Sequence, residues 1–346
     1  MRLVQVVPTL PPPVEGVAPY ALTLARSLAD RHGIESRFLV GDPSWVGGTG
    51  ADAAKLPARE AGVLSAHLSG DGEETVLVHY ANYAYQPRGC PAWLVDGLVR
   101  WRERSPRHRL VVVFHEVYAT GLPWQSSFWL LPVQRRLART LVRRCDAAVT
   151  SLELYVRRLG GPPVAGKVRV VPILSNIGEP LEPPDLQARA PRLLVFGGRG
   201  MRLQAYTTRL AELEAACRSL DIEEVWDVGP SVDLPLAVTG IPVRACGPLP
   251  AAEVSGLMIG ARVGFLAYPP DFLAKSSVFA AYCAHGLLPV CAWEPPEPRR
   301  ETVFAGLYWR CGSAQETQKI ASAARTWYEG HSLSRQTEMF RQLVSP

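Results

Sequence analysis

The feature that most constrains this chain is an alternation that runs from end to end and restarts once. Strand-length, nearly continuous apolar runs occupy 3–7, 37–40, 75–80, 110–115, 147–150 and 168–172. Segments with helical spacing, 20–31, 92–103, 126–144 and 152–159, separate most of them. Tyr20, Leu24 and Leu28 illustrate that spacing: one apolar side chain per turn on one face. A strand that is apolar on both sides has no face to turn to water, so helices must cover both, and helical crossovers place such strands parallel. The stretch GEPLEPPDLQARAP (178–191) is dense in proline and charge, which is linker composition. Beyond it the pattern begins again, with strands at 193–196, 224–228, 242–245, 263–267 and 288–291. Helices are expected at 203–220, 251–259, 276–285, 313–328 and 333–343. The expectation is α/β: two tandem doubly wound Rossmann-like domains with a cleft between them. Their bounds are 1–178, a linker at 179–191, then 192–328, with a terminal helical segment at 329–346 that can pack back on the first domain.

A chain of 346 residues exceeds one ordinary core, in keeping with two domains. The net charge of +5 suits an anionic substrate or surface and is too weak to argue for nucleic acid. The excess is local, since residues 90–160 hold twelve arginines against five acidic residues. Seven cysteines without a CxxC pair read as reduced thiols of a cytoplasmic protein. MRLVQVVPTL is a strand running into prolines, unlike a secretory signal, and no apolar run reaches transmembrane length.

Several stretches resemble the GT-B glycosyltransferases, and in particular their "group 1" family. VVPTLPPPVEGVAPYALTLARSLADRHGIESRFLVG resembles the family's first strand, glycine-containing loop and following helix. VVVFHE resembles the strand that ends in His-Asp or His-Glu, and CGPLPAAEVSGLMIGARVGFLAYPPDF the approach to the donor site. AAYCAHGLLPV resembles the helix and strand that follow. The resemblance implies transfer of a sugar from a nucleotide-sugar donor, UDP- or GDP-linked, to a hydroxylated acceptor such as a glycan, a lipid-linked or a small molecule. It implies a donor-binding C-terminal domain, an acceptor-binding N-terminal domain and no other cofactor. The chain departs from the family pattern at Leu273 and Ala281, where members usually carry two glutamates. It also has Glu15-Gly16-Val17 in place of a double glycine, and it lacks the usual Lys-Gly after FGGRGMRLQAY. A sugar-nucleotide epimerase, or a non-catalytic nucleotide-sugar-binding or partner subunit of the same build, is the alternative.

The residues support this chemistry independently. A diphosphate leaving group must be neutralised, and without a metal a helix N-terminus, hydroxyls and cations can do so. Lys275-Ser276-Ser277 supplies all three just before a helical run; the alternative is an ordinary helix cap beside a solvated lysine. Gly197-Gly198-Arg199-Gly200 lies between a strand and a helix, so its backbone can approach a phosphate, with Arg199 or Arg202 reaching it. Asp271 can meet the donor sugar's hydroxyls or simply make a turn. His115 and Glu116 end an apolar strand, where parallel sheets bind ligands. His115 can hold the sugar or act as base, Glu116 being the alternative base, or His115 can be a buried histidine bonded to backbone. Glu15 and Gly16 would border the acceptor. No cluster has metal-ligand spacing, so no metal site is expected. Finally, residues 124–144 carry Trp124, Phe128 and Trp129 followed by Arg135, Arg136, Arg139, Arg143 and Arg144. Such a helix can lie peripherally on an anionic inner membrane face, or pack on its own sheet with a solvated basic face.

Overall fold

The computed structural model describes residues 2–11, 16–48, 50–69, 75–233, 235–293, 303–310 and 316–345. They form two units, Met1–Pro172 with Ser334–Pro346, and Ile173–Leu333. Among the described residues no helix is long and apolar enough to cross a membrane, and the described cysteines are unpaired.

The first unit begins β1 (Arg2–Val7), α1 (Val17–His32), β2 (Glu35–Val40), β3 (Ala53–Lys55), α2 (Ala61–Ser69) and β4 (Thr75–Tyr80). It continues α3 (Asn82–Tyr85), α4 (Ala92–Glu103), β5 (Arg109–Phe114), α5 (Ser126–Arg144), β6 (Ala147–Thr150), α6 (Glu153–Leu159), α7 (Pro162–Ala165) and β7 (Val168–Val170). The strands form one sheet in the order β3-β2-β1-β4-β5-β6-β7, all parallel. All six residues of β4 are buried, as a central strand covered on both faces must be. The winding direction reverses between β1 and β4, so the carboxyl ends of these strands form the sheet's switch point, where open α/β sheets bind ligands.

The second unit runs β8 (Ala190–Phe196), α8 (Arg199–Tyr206), α9 (Leu210–Ser219), β9 (Glu224–Val228), β10 (Ala237–Val238) and β11 (Ile241–Gly247). It goes on through α10 (Ala251–Gly260), β12 (Ala261–Leu266), α11 (Ser277–Ala284), β13 (Leu288–Cys291) and α12 (Thr317–Glu329). The sheet order is β10-β11-β9-β8-β12-β13, and among the described residues only the short β10 is antiparallel to its neighbour. Leu193, Val195, Val225, Val263 and Phe265 of this sheet bury one face against Leu213 and Ala216 of α9 and Ile320 and Ala321 of α12. Burying each such large aliphatic side chain is worth about 1.5–3 kcal/mol, which is why uniformly apolar strands dictate helical cover. Here the reversal lies between β8 and β12.

α13 (Leu333–Val344) follows α12, and from Ser334 onward it belongs to the first unit. Its inner residues hydrogen-bond there: Tyr20 Oη donates to Gln336 Oε1 at 3.2 Å, and the Ser27 and Thr337 hydroxyls are 2.7 Å apart.

The structure corrects three expectations about elements. Residues 179–191 do not form a separate linker: they lie within the second unit, and β8 already starts at Ala190. Arg189 is buried there and donates to the carbonyls of Pro184, Met258, Ala261 and His285. The helix expected over 203–220 is two, α8 and α9, because Thr207 leaves helical geometry at φ −121°, ψ −87°. β3 and α2 were not expected at all, since neither shows a clear apolar period.

Candidate functional site

In the first unit, β4 and β5 end together. His115 is the first residue past β5, and its amide and that of Glu116 donate to Tyr80 O at 2.9 and 3.3 Å. This places the half-buried His115 ring beside His79, fully buried in β4, with His79 Nδ1 and His115 Nε2 3.1 Å apart. His79 Nε2 lies 2.8 Å from Gln5 Oε1, and Gln5 Nε2 donates to Ser36 Oγ at 2.8 Å. Tyr20 of α1 meets both imidazoles edge-on, at 5.9 Å from His79 and 5.0 Å from His115 between ring centroids.

The bonding assigns the protons. Gln5 spends its amide N–H on Ser36, so its carbonyl accepts from His79 Nε2–H. Burial, reinforced by the neighbouring His115, holds the His79 pKa well below the ordinary histidine value, so His79 is neutral and its Nδ1 is an acceptor. His115 therefore donates through Nε2 to His79 Nδ1. Glu116 is exposed. Gly16 is exposed just before α1, and Glu15 lies outside the described residues.

In the second unit, the switch point holds the start of two helices. Gly197 follows β8 with φ +128°, and a Cβ there would lie 2.5 Å from Met201 Cε of α8 and 3.0 Å from Val278 Cγ2 of α11. The first turns of α8 and α11 thus converge on this glycine, and only glycine fits. Gly198 caps α8 in extended geometry, with nothing within 4 Å of where its Cβ would stand. Gly198 and Arg199 are exposed.

Arg202 does not reach outward. It is fully buried, ion-paired with Asp227 of β9, and donates to Gly197 O at 3.0 Å and to Pro230 O. Burial raises the Asp227 pKa while Arg202 opposes the rise. Arg202 therefore shapes the glycine loop, and the choice between Arg199 and Arg202 as the outward cation falls to Arg199. Asp271 is exposed on a 3-10 helix, Pro270–Lys275, that ends at the half-buried Lys275. Ser276 is the N-cap of α11, its hydroxyl accepting from Phe279 N at 3.2 Å, and Ser277 opens the helix, half-buried. The cap role of Ser276 is structural whether or not an anion binds.

Two further residues hold this arrangement. Tyr282 of α11 packs its ring on Gly264 of β12, where a Cβ would come within 2.5 Å of the ring. Its hydroxyl accepts from Phe196 N at 3.1 Å and lies 3.2 Å from the carbonyls of Leu194 and Phe265, so one side chain ties α11 to β8 and β12. His285, the C-cap of α11, bonds Ala281 O and Ser255 Oγ at 2.8 Å each, and burial lowers its pKa to about 4. Among the described residues no group of three or more His, Cys, Asp or Glu is placed to hold a metal.

No family model matches the chain, and no curated protein matches its sequence. Solved structures do match its fold along nearly the full length. An alpha-glucosyltransferase in complex with UDP-glucose and DNA containing an abasic site superposes with a TM-score of 0.60 at 12% identity, covering 99% of both chains. The chain has the GT-B fold. Sucrose-phosphate synthase from Thermosynechococcus elongatus gives 0.60 at 12% identity, over 99% of this chain and 98% of that one. UDP-GlcNAc 2-epimerase from Neisseria meningitidis, bound to UDP-GlcNAc, gives 0.58 at 12% identity and covers 99% of each. At such identities the GT-B likeness is one of fold.

Gln5, His79, Tyr20 and Tyr282 were not among the expected site residues. Two of them left a signal: Gln5 interrupts LVQVV and His79 interrupts VLVHY, polar residues where a buried parallel strand has no use for one unless it is bonded.

Proposed function

We propose that this chain is a glycosyltransferase that moves a sugar from a nucleotide-sugar donor to a hydroxylated acceptor. The observation that carries the reading is the convergence of the α8 and α11 N-termini on Gly197 at the switch point of the second sheet. Both helices begin beside this glycine, and the positive dipole end of a helix favours a diphosphate. Arg199 and Lys275 add charge beside them, and the hydroxyls of Ser276 and Ser277 add donors. Asp271 is assigned to the sugar's hydroxyls.

In the reaction the acceptor oxygen bonds to the anomeric carbon as the bond from that carbon to the diphosphate oxygen breaks. The diphosphate departs with the bonding electrons, and the acceptor's proton must go to a base. His115 is assigned that role or the holding of a sugar hydroxyl, with Glu116 as the alternative base and Gly16 bordering the acceptor. Fixed donors that meet the developing negative charge lower the barrier most where they are already oriented. Arg202 and Tyr282 contribute that orientation by holding the loop and the helix.

Donor binding is the first test. A panel of nucleotide sugars is screened by thermal shift, and affinities are then measured for wild type and Lys275→Ala. Loss of one charge-assisted partner predicts a weakening of nucleoside diphosphate binding of roughly ten- to a hundredfold, with the free nucleoside hardly affected. Equal affinity of the two proteins for the diphosphate would remove Lys275 from the site. Transfer of a labelled sugar to acceptor, as opposed to conversion of the donor into an epimer or binding without turnover, separates transferase from epimerase and from a binding subunit.

A further inference from the structure

The helix α5 is two things in one. Its second half is anchored: Leu137, Ala138, Leu141 and Val142 are buried. Its first half is not, although it is as apolar. Trp129 is 70% exposed, Val133 45% and Phe128 39%, with Trp124 at 78% and Leu122 at 53% just ahead of the helix. Isolated exposed apolar residues mean little, but five within twelve positions make a contiguous display. The rings stand on an ordered support, because Trp129 Nε1 donates to Pro123 O at 2.8 Å and Gln125 Oε1 accepts from Leu122 N at 2.9 Å.

The outward side continues as a basic one. Phe128, Pro132, Arg135 and Arg139 follow one another at helical spacing, as do Trp129, Val133, Arg136 and Arg143, so aromatic and cationic groups share one stripe. Residues 124–144 contain five arginines and no acidic residue. Arg144 pairs with Glu103, but Arg135, Arg136 and Arg143 have no carboxylate partner among the described residues. Arg135, Arg136 and Arg139 surround a groove of about 300 Å³ together with Leu131 and Pro132.

We infer that this face rests on an anionic phospholipid bilayer, with Trp124, Phe128, Trp129 and Val133 in the headgroup–acyl boundary and Arg135 and Arg136 on lipid phosphates. Indole rings favour that boundary, being amphipathic, and arginine meets phosphate with a planar pair of donors. The charge argues against a second copy of the chain as the occupant, since a two-fold contact would set the arginine stripe against itself. A neutral protein partner would leave the guanidinium groups unpaired. The inference stands on this surface alone and does not depend on the transferase reading.

The test is flotation of the full-length protein with phosphatidylcholine vesicles, with and without about one-third phosphatidylglycerol. Binding is expected only to the anionic vesicles and should fall as salt is raised. Arg135→Gln with Arg136→Gln should weaken partitioning about thirtyfold, and Trp124→Ser with Trp129→Ser at least about tenfold. All four positions are exposed, so melting temperatures should not move. If the tryptophan pair nevertheless unfolds the protein, the arginine pair and the salt titration decide. Equal binding to neutral and anionic vesicles, no binding to either, or full binding by the arginine pair would overturn the inference. So would a dimer in sedimentation that the tryptophan substitutions abolish while wild type ignores vesicles.

Discussion

One ring nitrogen of His115 is committed inward by a hydrogen bond to His79, and the ring's protonation pattern hangs on residues it does not touch. Gln5 presents a carbonyl to His79, which keeps the Nε2 proton on that ring and leaves its Nδ1 as acceptor for His115. Gln5→Glu should reverse the chain. A buried carboxylate would draw a second proton onto His79, His79 Nδ1 would become a donor, and His115 would move its own proton to Nδ1. Nitrogen-15 NMR of labelled histidines reads that switch directly, with or without substrate. The expected outcome is the Nε2-H tautomer of His115 in wild type and the Nδ1-H tautomer in the variant. An unchanged His115 signal would mean that the pair is packing only. Turnover should fall about a hundredfold or more in His115→Ala, in line with the loss of one proton-transferring group, while donor affinity stays near wild type. Arg202 teaches the complementary lesson at this scale. Written beside Arg199 it looks equally able to reach a phosphate, because its partner Asp227 lies 25 residues away on the next strand.

At the scale of elements, α11 is set by its two ends and by one tyrosine in its middle. Ser276 caps it, His285 closes it, and Tyr282 fastens it to the strands on either side of the switch point. Tyr282→Phe keeps the ring against Gly264 and deletes only the hydroxyl, leaving the Phe196 amide and a strand carbonyl without that partner. Such buried losses cost about 1–3 kcal/mol, and thermal melting should show a correspondingly lower midpoint. If α11 carries the diphosphate, donor affinity should fall as well. An unchanged melting temperature would show that water replaces the hydroxyl without loss. The strands around this helix were legible in the sequence because a buried parallel strand is written as an unbroken apolar run. Boundaries set by backbone dihedrals were not. Leu203, Leu210 and Leu213 keep helical spacing straight through the break at Thr207, since periodicity counts side chains and ignores φ and ψ. The proline-rich stretch at 179–191 misled for a similar reason. Its composition is that of a linker, yet Arg189 is buried among carbonyls from four places in the chain.

For the whole molecule the consequence is that the first unit is discontinuous: it needs Ser334–Pro346, which the chain supplies only after the second unit is complete. The dependence has structural detail. Gln336 and Thr337 are buried polar residues bonded to Tyr20 and Ser27 of α1, and Gln336 Nε2 also donates to Pro172 O at 3.0 Å. Thr75 of β4 donates to Val344 O at 3.2 Å, and Arg109 of β5 to Leu343 O at 2.7 Å. Phe340, Leu343 and Val344 are buried apolar residues at helical spacing, each worth about 1.5–3 kcal/mol when fully covered. Deleting 334–346 would expose their contacts and orphan the α1 hydroxyls together. The loss approaches the whole stability of an ordinary domain, about 5–15 kcal/mol. Hydrogen exchange on the truncated chain should therefore show protection lost in β1, β4, β5 and α1 and retained in β8, β12 and α11. A fragment ending near Pro172 should be unfolded alone and recover structure when a peptide of 333–346 is added. Nucleoside diphosphate binding, assigned to the second unit, should survive the deletion. Uniform loss of protection across both units would show that they fold as one cooperative block, and unchanged protection in α1 would show that α13 is an ornament of the first sheet and no part of its core.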